Sequence, residues 1–164
     1  MRRILVSLYE FDIRYLLVGG LAINLYGIPR TTADIDILLD LSDSNLVNFI
    51  QCMKDLGLKL KQPVNESSLL QETYRKALRT EKNVVVLTYE NTENPLEIID
   101  FFIENPISFE NAYNRKETLY VNHYEIYLAA VDDLIALKRI SGRESDLADI
   151  ENLEQLRELR NEDT

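Results

Sequence analysis

Two aspartates separated by one residue, Asp34 and Asp36, lie within an apolar stretch of the chain. Side chains alternate between the two faces of a strand, so both carboxylates point one way while Ile35 and Ile37 point into the core. Like charges about 6–7 Å apart repel each other and resist burial unless a cation lies between them. A hard divalent cation removes both penalties and, with substrate phosphates, supports phosphoryl transfer. The pair therefore predicts a metal site.

A site of this kind needs a third carboxylate from a neighbouring strand, and Asp100 is the candidate. It stands in the apolar stretch 96–103, which predicts a buried strand. The alternative interpretation is an acid that a nearby amide satisfies, because a buried acid alone is a weak sign of function. Glu97 lies three residues earlier on the opposite face, and we expect it to be exposed to solvent.

A glycine pair, Gly19 and Gly20, follows the predicted strand 15–18 and precedes the predicted helix 21–26. Such a pair is most often only a turn. Glycines at the start of a helix, however, let backbone N–H groups approach an anion without side chains in the way. The pair is therefore a candidate phosphate-binding turn.

The glycine turn, the paired aspartates and the third acid resemble the signature of the nucleotidyltransferase superfamily related to DNA polymerase beta. More narrowly, residues 17–27 and 30–36 are similar to the AbiEii-like nucleotidyltransferases, many of which are toxins of toxin–antitoxin pairs. Residues 133–138 and 143–150 resemble the helical region that follows the catalytic sheet in that group. The residues that carry the core of the match are Gly19, Gly20, Arg30, Thr32, Asp34, Asp36 and Asp100.

The resemblance implies that the three acids are catalytic and bind Mg²⁺ or Mn²⁺, and that Asp100 activates an acceptor hydroxyl as the general base. It also implies that the glycine turn and three further side chains hold the nucleotide, with Lys138 as a point charge near the triphosphate. The plain alternative is that Lys138 is solvated and that Arg30 is paired with a surface acid. The residues with an implied nucleotide-binding role are Gly19, Gly20, Arg30, Thr32 and Lys138.

One position departs from the superfamily pattern, because many members carry a serine where this chain has Gly20. Without that hydroxyl, backbone amides or Thr31 and Thr32 must supply the phosphate contact. Asp146 and Asp149 are candidates for shaping the base or acceptor pocket. The alternative for Asp146 is a cap of the last helix.

Composition narrows the class of protein. A net charge of −10 argues against a surface built mainly to hold nucleic acid, although a short basic channel can lie within a negative total. One cysteine and one histidine provide no zinc ligand set of the usual spacing. No apolar run is long enough to cross a bilayer, and the N-terminus is a poor signal peptide. We therefore expect a cytoplasmic protein with no membrane partner.

The order of elements predicts an α/β (α+β) fold, in which helices flank a mixed β-sheet and a C-terminal helical segment follows. We expect a nucleotidyltransferase core at 1–128 and a helical segment packed on it at 129–164. The predicted strands are 15–18, 34–39, 58–61, 84–89, 96–103 and 117–128. The predicted helices are 2–13, 21–26, 43–56, 67–79, 131–141 and 145–160.

Three functions stay open at this point. The first is a metal-dependent nucleotidyltransferase that moves a nucleoside monophosphate from an NTP to a hydroxyl of RNA, protein or a small molecule, as a toxin with an antitoxin partner. The second is a catalytically inactive member that binds or regulates a partner, and the complete set of acids argues against it. The third is a metal-dependent hydrolase that uses the same acids and transfers the phosphoryl group to water.

Overall fold

The computed structural model describes residues 1–162, which contain a seven-stranded mixed sheet and helices. It also contains two short 3₁₀ helices, Glu66–Leu70 and Glu144–Asp146. The strands are β1 Tyr15–Val18, β2 Ile35–Leu39, β3 Lys59–Leu60, β4 Val86–Glu90, β5 Ile98–Phe102, β6 Glu117–Val121 and β7 Tyr124–Leu128. The helices are α1 Arg2–Glu10, α2 Gly19–Leu25, α3 Asp43–Asp55, α4 Glu72–Lys82, α5 Phe109–Asn114, α6 Val131–Ser141 and α7 Leu147–Glu162.

The strand order is β3-β4-β5-β2-β1-β7-β6. At the centre, β1 and β2 are antiparallel neighbours, whereas β2 pairs with β5 in parallel and β1 pairs with β7 in parallel. The outer pairs β3–β4, β4–β5 and β6–β7 are antiparallel. This arrangement confirms the predicted mixed sheet, and it puts β2 beside a strand that lies more than sixty residues later in the chain.

The two faces of the β4–β5 part of the sheet differ in burial. On one face, Tyr89 and Phe101 are fully buried and pack against Phe49 of α3, with ring centroids 5.1–6.1 Å apart. On the other face, alternate residues of both strands are only partly buried. Asp100 belongs to this second face, so the fold leaves that carboxylate within reach of a ligand.

The predicted strand 117–128 is wrong in one respect, because it is a hairpin of β6 and β7. Asn122 adopts a left-handed conformation with φ +54°, which Asn tolerates better than most residues, and Val121 pairs with Tyr124 across the turn. The predicted helix 67–79 is divided between the first 3₁₀ helix and α4. Short α5 has no counterpart among the predicted elements.

The C-terminal helices α6 and α7 contribute Leu134, Ile135 and Leu153 to the hydrophobic core. Gly142 ends α6, and the second 3₁₀ helix leads into α7. The proposed division of the chain at residue 128 stays a prediction. Among the described residues, none of the helices combines the length and apolar character needed to cross a membrane.

Candidate active site

The pairing of β2 with β5 brings the three predicted acids together. Asp36 is the register partner of Asp100, and Asp34 lies two residues before Asp36 on the same face. Carboxylate oxygens of all three lie within 4.8 Å of one another. On its other side, Asp36 pairs with Val18, the last residue before the glycine turn. The structure therefore places the acids beside the glycine turn, on the inner strands β1, β2 and β5 of the sheet.

The electrostatics of these acids are unfavourable without a cation. Burial, together with the charges of Asp34 and Asp100, raises the pKa of Asp36 to about 7, against smaller effects of Lys138 and Arg30 that lower it. Burial also raises the pKa of Asp100. Its Oδ1 atom is buried and has no hydrogen-bond partner within residues 1–162. Three oxygen ligands and an unsatisfied buried carboxylate oxygen fit a divalent metal ion.

The first glycine of the turn is required for two reasons. Gly19 has φ +67°, a conformation that residues with a side chain rarely adopt. A Cβ atom at this position would also lie only 2.1 Å from Oδ2 of Asp36. The Asp36 carboxylate is therefore in direct contact with the backbone of the turn.

The second glycine is required for a different reason. A Cβ atom at Gly20 would lie 2.9 Å from Cβ and 3.0 Å from Oγ1 of Thr32. A serine therefore does not fit here unless Thr32 moves, which gives the departure from the superfamily pattern a steric cause. The Thr32 hydroxyl is 3.0 Å from Oδ1 of Asp34 and donates a hydrogen bond to it.

The segment between α2 and β2 is fixed by Asn24, which the sequence reasoning missed. Its side-chain amide donates to the Arg30 carbonyl at 2.8 Å, and its Oδ1 accepts from the Arg30 N–H at 2.6 Å. The signal available in the sequence was a single amide residue within the otherwise apolar stretch 21–26. Asn24 thus joins the segment that carries Arg30 and Thr32 to the helix that begins at the glycine turn.

Lys138 lies in a nearly buried ion-pair cluster rather than on a solvated surface. Its Nζ is 2.8 Å from Oδ1 of Asp146 and 2.9 Å from Oδ2 of Asp149, and its side chain is 13% exposed. Arg30 also pairs with an acid, but that acid is the buried Asp149, at 2.5 Å from Nη1. Burial acts to raise the pKa of Asp146, but the hydrogen bond and the charge of Lys138 act against it, and the pKa lies below its usual value.

The expectation that Glu97 is exposed to solvent is wrong, because its side chain is only 9% exposed. Arg3 donates to both of its carboxylate oxygens, at 2.9 and 2.5 Å, and Asn91 donates at 2.8 Å. These hydrogen bonds lower the pKa of Glu97 to about 2. This acid links α1 to the loop before β5 and takes no part in the acid cluster.

Solved structures of nucleotidyltransferases share this fold. The crystal structure of the lincosamide antibiotic adenylyltransferase LnuA, with lincomycin bound, matches with a TM-score of 0.58 and 18% identity over 93% of both chains. The solution structure of the antibiotic-resistance factor ANT(2'')-Ia matches with a TM-score of 0.57 and 12% identity, over 98% of this chain and 89% of that one. The chain therefore has the fold of these nucleotidyltransferases.

A narrower assignment comes from the family described as nucleotidyl transferase AbiEii toxin, type IV toxin–antitoxin system, whose model matches residues 3–156. The chain belongs to this family of nucleotidyltransferase toxins. No match was found among curated proteins. The predicted resemblance and enzyme class are confirmed.

Proposed function

We propose that this protein uses Asp34, Asp36 and Asp100 to transfer a nucleoside monophosphate from an NTP to an acceptor hydroxyl. The observation that carries the proposal is the convergence of the three carboxylates within 4.8 Å, in contact with a glycine turn. In the reaction, the acceptor oxygen forms a bond to the α-phosphorus. The bond between that phosphorus and the bridging oxygen of the leaving group breaks, and pyrophosphate is released.

Asp34, Asp36 and Asp100 would hold Mg²⁺ or Mn²⁺ through carboxylate oxygens. A bound divalent ion supplies charge neutralisation at the phosphate oxygens and at the leaving group. Asp100 takes the proton of the acceptor hydroxyl. Its Oδ1 lacks a hydrogen-bond partner among the described residues, so this oxygen is available to accept that proton.

The nucleotide phosphates would lie against the Gly19–Gly20 turn, whose backbone contacts Asp36. Arg30 and Lys138 supply positive charge on this side of the acids, since both lower the pKa of Asp36. In the described structure both cations pair with Asp149. A bound triphosphate would therefore compete with the Asp149 carboxylate for Arg30 and Lys138.

The acceptor belongs to one of the classes RNA, protein or small molecule. The net charge of −10 disfavours an extended nucleic-acid surface and favours an acceptor that reaches the acids through a short contact. Membership of a toxin–antitoxin family supports an antitoxin partner and a cytoplasmic site of action.

The test is incubation with Mg²⁺ and each of the four α-labelled NTPs, with pyrophosphate release and transfer of label to RNA, protein and small-molecule fractions as readouts. Asp36→Asn and Asp100→Asn should each lower turnover about 1,000-fold or more, because loss of a metal ligand removes several kcal/mol of transition-state stabilisation. Asp12→Asn is the matched control, since Asp12 is exposed and its φ of +52° suits asparagine.

Full turnover in Asp36→Asn would overturn the site assignment. Loss of NTP to water with no labelled acceptor would identify a hydrolase. A wild-type protein that turns over none of the four NTPs in the presence of any acceptor fraction would identify the inactive binding protein.

A further inference from the structure

We propose that Thr32 is a positioning residue for Asp34, and that Thr32 and Gly20 form a matched pair in which the threonine occupies the space of a side chain at position 20. The inference rests on the proposed function, because it concerns how one acid of the cluster is held. It concerns contacts within the protein and needs no contact between Thr32 and a nucleotide.

The packing at Gly20 shows why these two residues depend on each other. Gly20 is buried within α2, and its backbone is in the ordinary helical conformation that any residue adopts. The need for glycine therefore comes from its neighbours alone. Atoms of Thr32 would lie 2.9 and 3.0 Å from a Cβ there, well inside the 3.5–4.0 Å at which non-bonded carbon atoms usually meet.

The hydrogen bond to Asp34 gives this packing a consequence for the acid cluster. The Thr32 Oγ1 atom is 3.0 Å from Oδ1 of Asp34, within normal hydrogen-bond distance. A threonine has few χ1 rotamers, and contact with Gly20 restricts them further. The hydroxyl is thereby held in the direction of Asp34. Such a partner orients a metal-binding carboxylate without touching the ion.

The rest of the segment prevents Thr32 from moving away. Asn24 holds the backbone of Arg30 through two hydrogen bonds, and the Arg30 side chain is paired with Asp149. Thr32 lies between this anchored residue and the start of β2. A larger side chain at position 20 would therefore displace Thr32 together with Asp34, rather than Thr32 alone.

The experiment measures Mn²⁺ affinity of the nucleotide-free protein by electron paramagnetic resonance, beside thermal unfolding and pyrophosphate release. Thr32→Val keeps the shape and removes the hydroxyl, so it should weaken Mn²⁺ binding about tenfold. Thr32→Ser restores the hydroxyl and should keep the affinity within about threefold of wild type. Thr92→Val is the matched control, since Thr92 is exposed on the loop between β4 and β5, and it should leave Mn²⁺ affinity unchanged.

A double-mutant cycle tests the packing. Gly20→Ser should lower both the melting temperature and the Mn²⁺ affinity, whereas adding Thr32→Gly to it should recover the melting temperature beyond the sum of the two single effects. An additive cycle, or a Gly20→Ser protein as stable as wild type, would overturn the matched pair. Unchanged Mn²⁺ affinity in Thr32→Val, or an equal loss in Thr92→Val, would overturn the positioning role.

The outcomes separate this inference from the proposed function. A wild-type protein that transfers nucleotides while Thr32→Val binds Mn²⁺ normally retains the function and refutes the inference. A wild-type protein that turns over no NTP, but whose Mn²⁺ affinity falls selectively in Thr32→Val, supports the inference and refutes the function. A wild-type protein that does not bind Mn²⁺ refutes both.

Discussion

Glu97 and Asp100 are three residues apart, yet their surroundings shift their pKa values in opposite directions. Glu97 receives two hydrogen bonds from Arg3 and one from Asn91, and its pKa falls to about 2. Asp100 faces Asp34 and Asp36, and its pKa is raised. Within residues 1–162, no lysine or arginine forms an ion pair with any of these three aspartates.

The contrast extends to the other buried acids. Asp40 pairs with Arg14, Asp133 with Arg115, and Asp146 and Asp149 share Lys138. The chain therefore supplies cations to carboxylates that serve its architecture. Three like charges left together make folding harder and have no structural benefit. Such a cluster marks a place where stability is given up for function.

We expect the largest effect on stability among the buried acids that form ion pairs with cations. Lys138→Ala removes the ion-pair partner of buried Asp146 and leaves Asp149 with Arg30 alone, and it should lower the free energy of unfolding by about 3 kcal/mol. Denaturant titration at pH 7 measures the effect. Lys76→Ala is the control, because its ion pair with Glu72 is exposed to solvent and contributes little to stability. Equal effects of the two substitutions would contradict the burial argument.

The next effect concerns Glu97. Glu97→Gln should lower the free energy of unfolding by about 2 kcal/mol at pH 7, because a charge-assisted hydrogen-bond network is lost. The folded pKa of about 2 lies below the ordinary 4.5, so the wild-type advantage is complete above pH 4.5 and disappears as the pH falls towards 2. Unfolding curves of both proteins over this range provide the measurement.

The nucleotidyltransferase activity of Glu97→Gln should equal that of wild type within about twofold at pH 7, since surface and structural changes away from a site leave its chemistry intact. A difference in stability that persists unchanged down to pH 2 would contradict the role of the ionised Glu97.

We expect the smallest effect on the free energy of unfolding at the three clustered aspartates, and there the substitution should stabilise the protein. In the presence of a chelator, Asp36→Asn should raise the free energy of unfolding by about 1 kcal/mol, because it removes one of three mutually repelling charges. Adding Mg²⁺ should stabilise wild type but not the variant, since only wild type keeps the full set of ligands. A chelator-treated variant less stable than wild type would show that Asp36 is satisfied by the fold after all.

The sequence predicts the part of the site that depends on local periodicity. The alternation of a strand is sufficient to put Asp34 and Asp36 on one face, and the glycine pair between a strand and a helix is visible in the sequence. The convergence of Asp100 depends on the parallel pairing of β2 with β5, and no local pattern specifies the partner of a strand. The apolar stretch around Asp100 makes it a candidate for the third acid, and the family resemblance implies that it joins the other two.

The wrong predictions concern features that a local sequence pattern does not specify. The exposure of Glu97 was predicted wrongly because its cation, Arg3, lies 94 residues away. The division of 117–128 into two strands depends on the left-handed conformation of Asn122, which interrupts an otherwise continuous β-type pattern. The steric match of Gly20 with Thr32 requires coordinates, because the glycine itself adopts an ordinary helical conformation.

Gly19 has a genetic consequence. Every missense change at its codon adds at least a Cβ atom, which would collide with Asp36 at 2.1 Å, so no amino-acid replacement there is neutral. In a bacterial population selected for loss of toxin action, survivors should carry changes at this codon as often as its mutation rate permits. Amino-acid replacements at an exposed apolar position such as Val47 should not be found among the same survivors. If the proposed site is correct, we expect changes at the glycine codon to be as frequent among such survivors as changes at the aspartate codons.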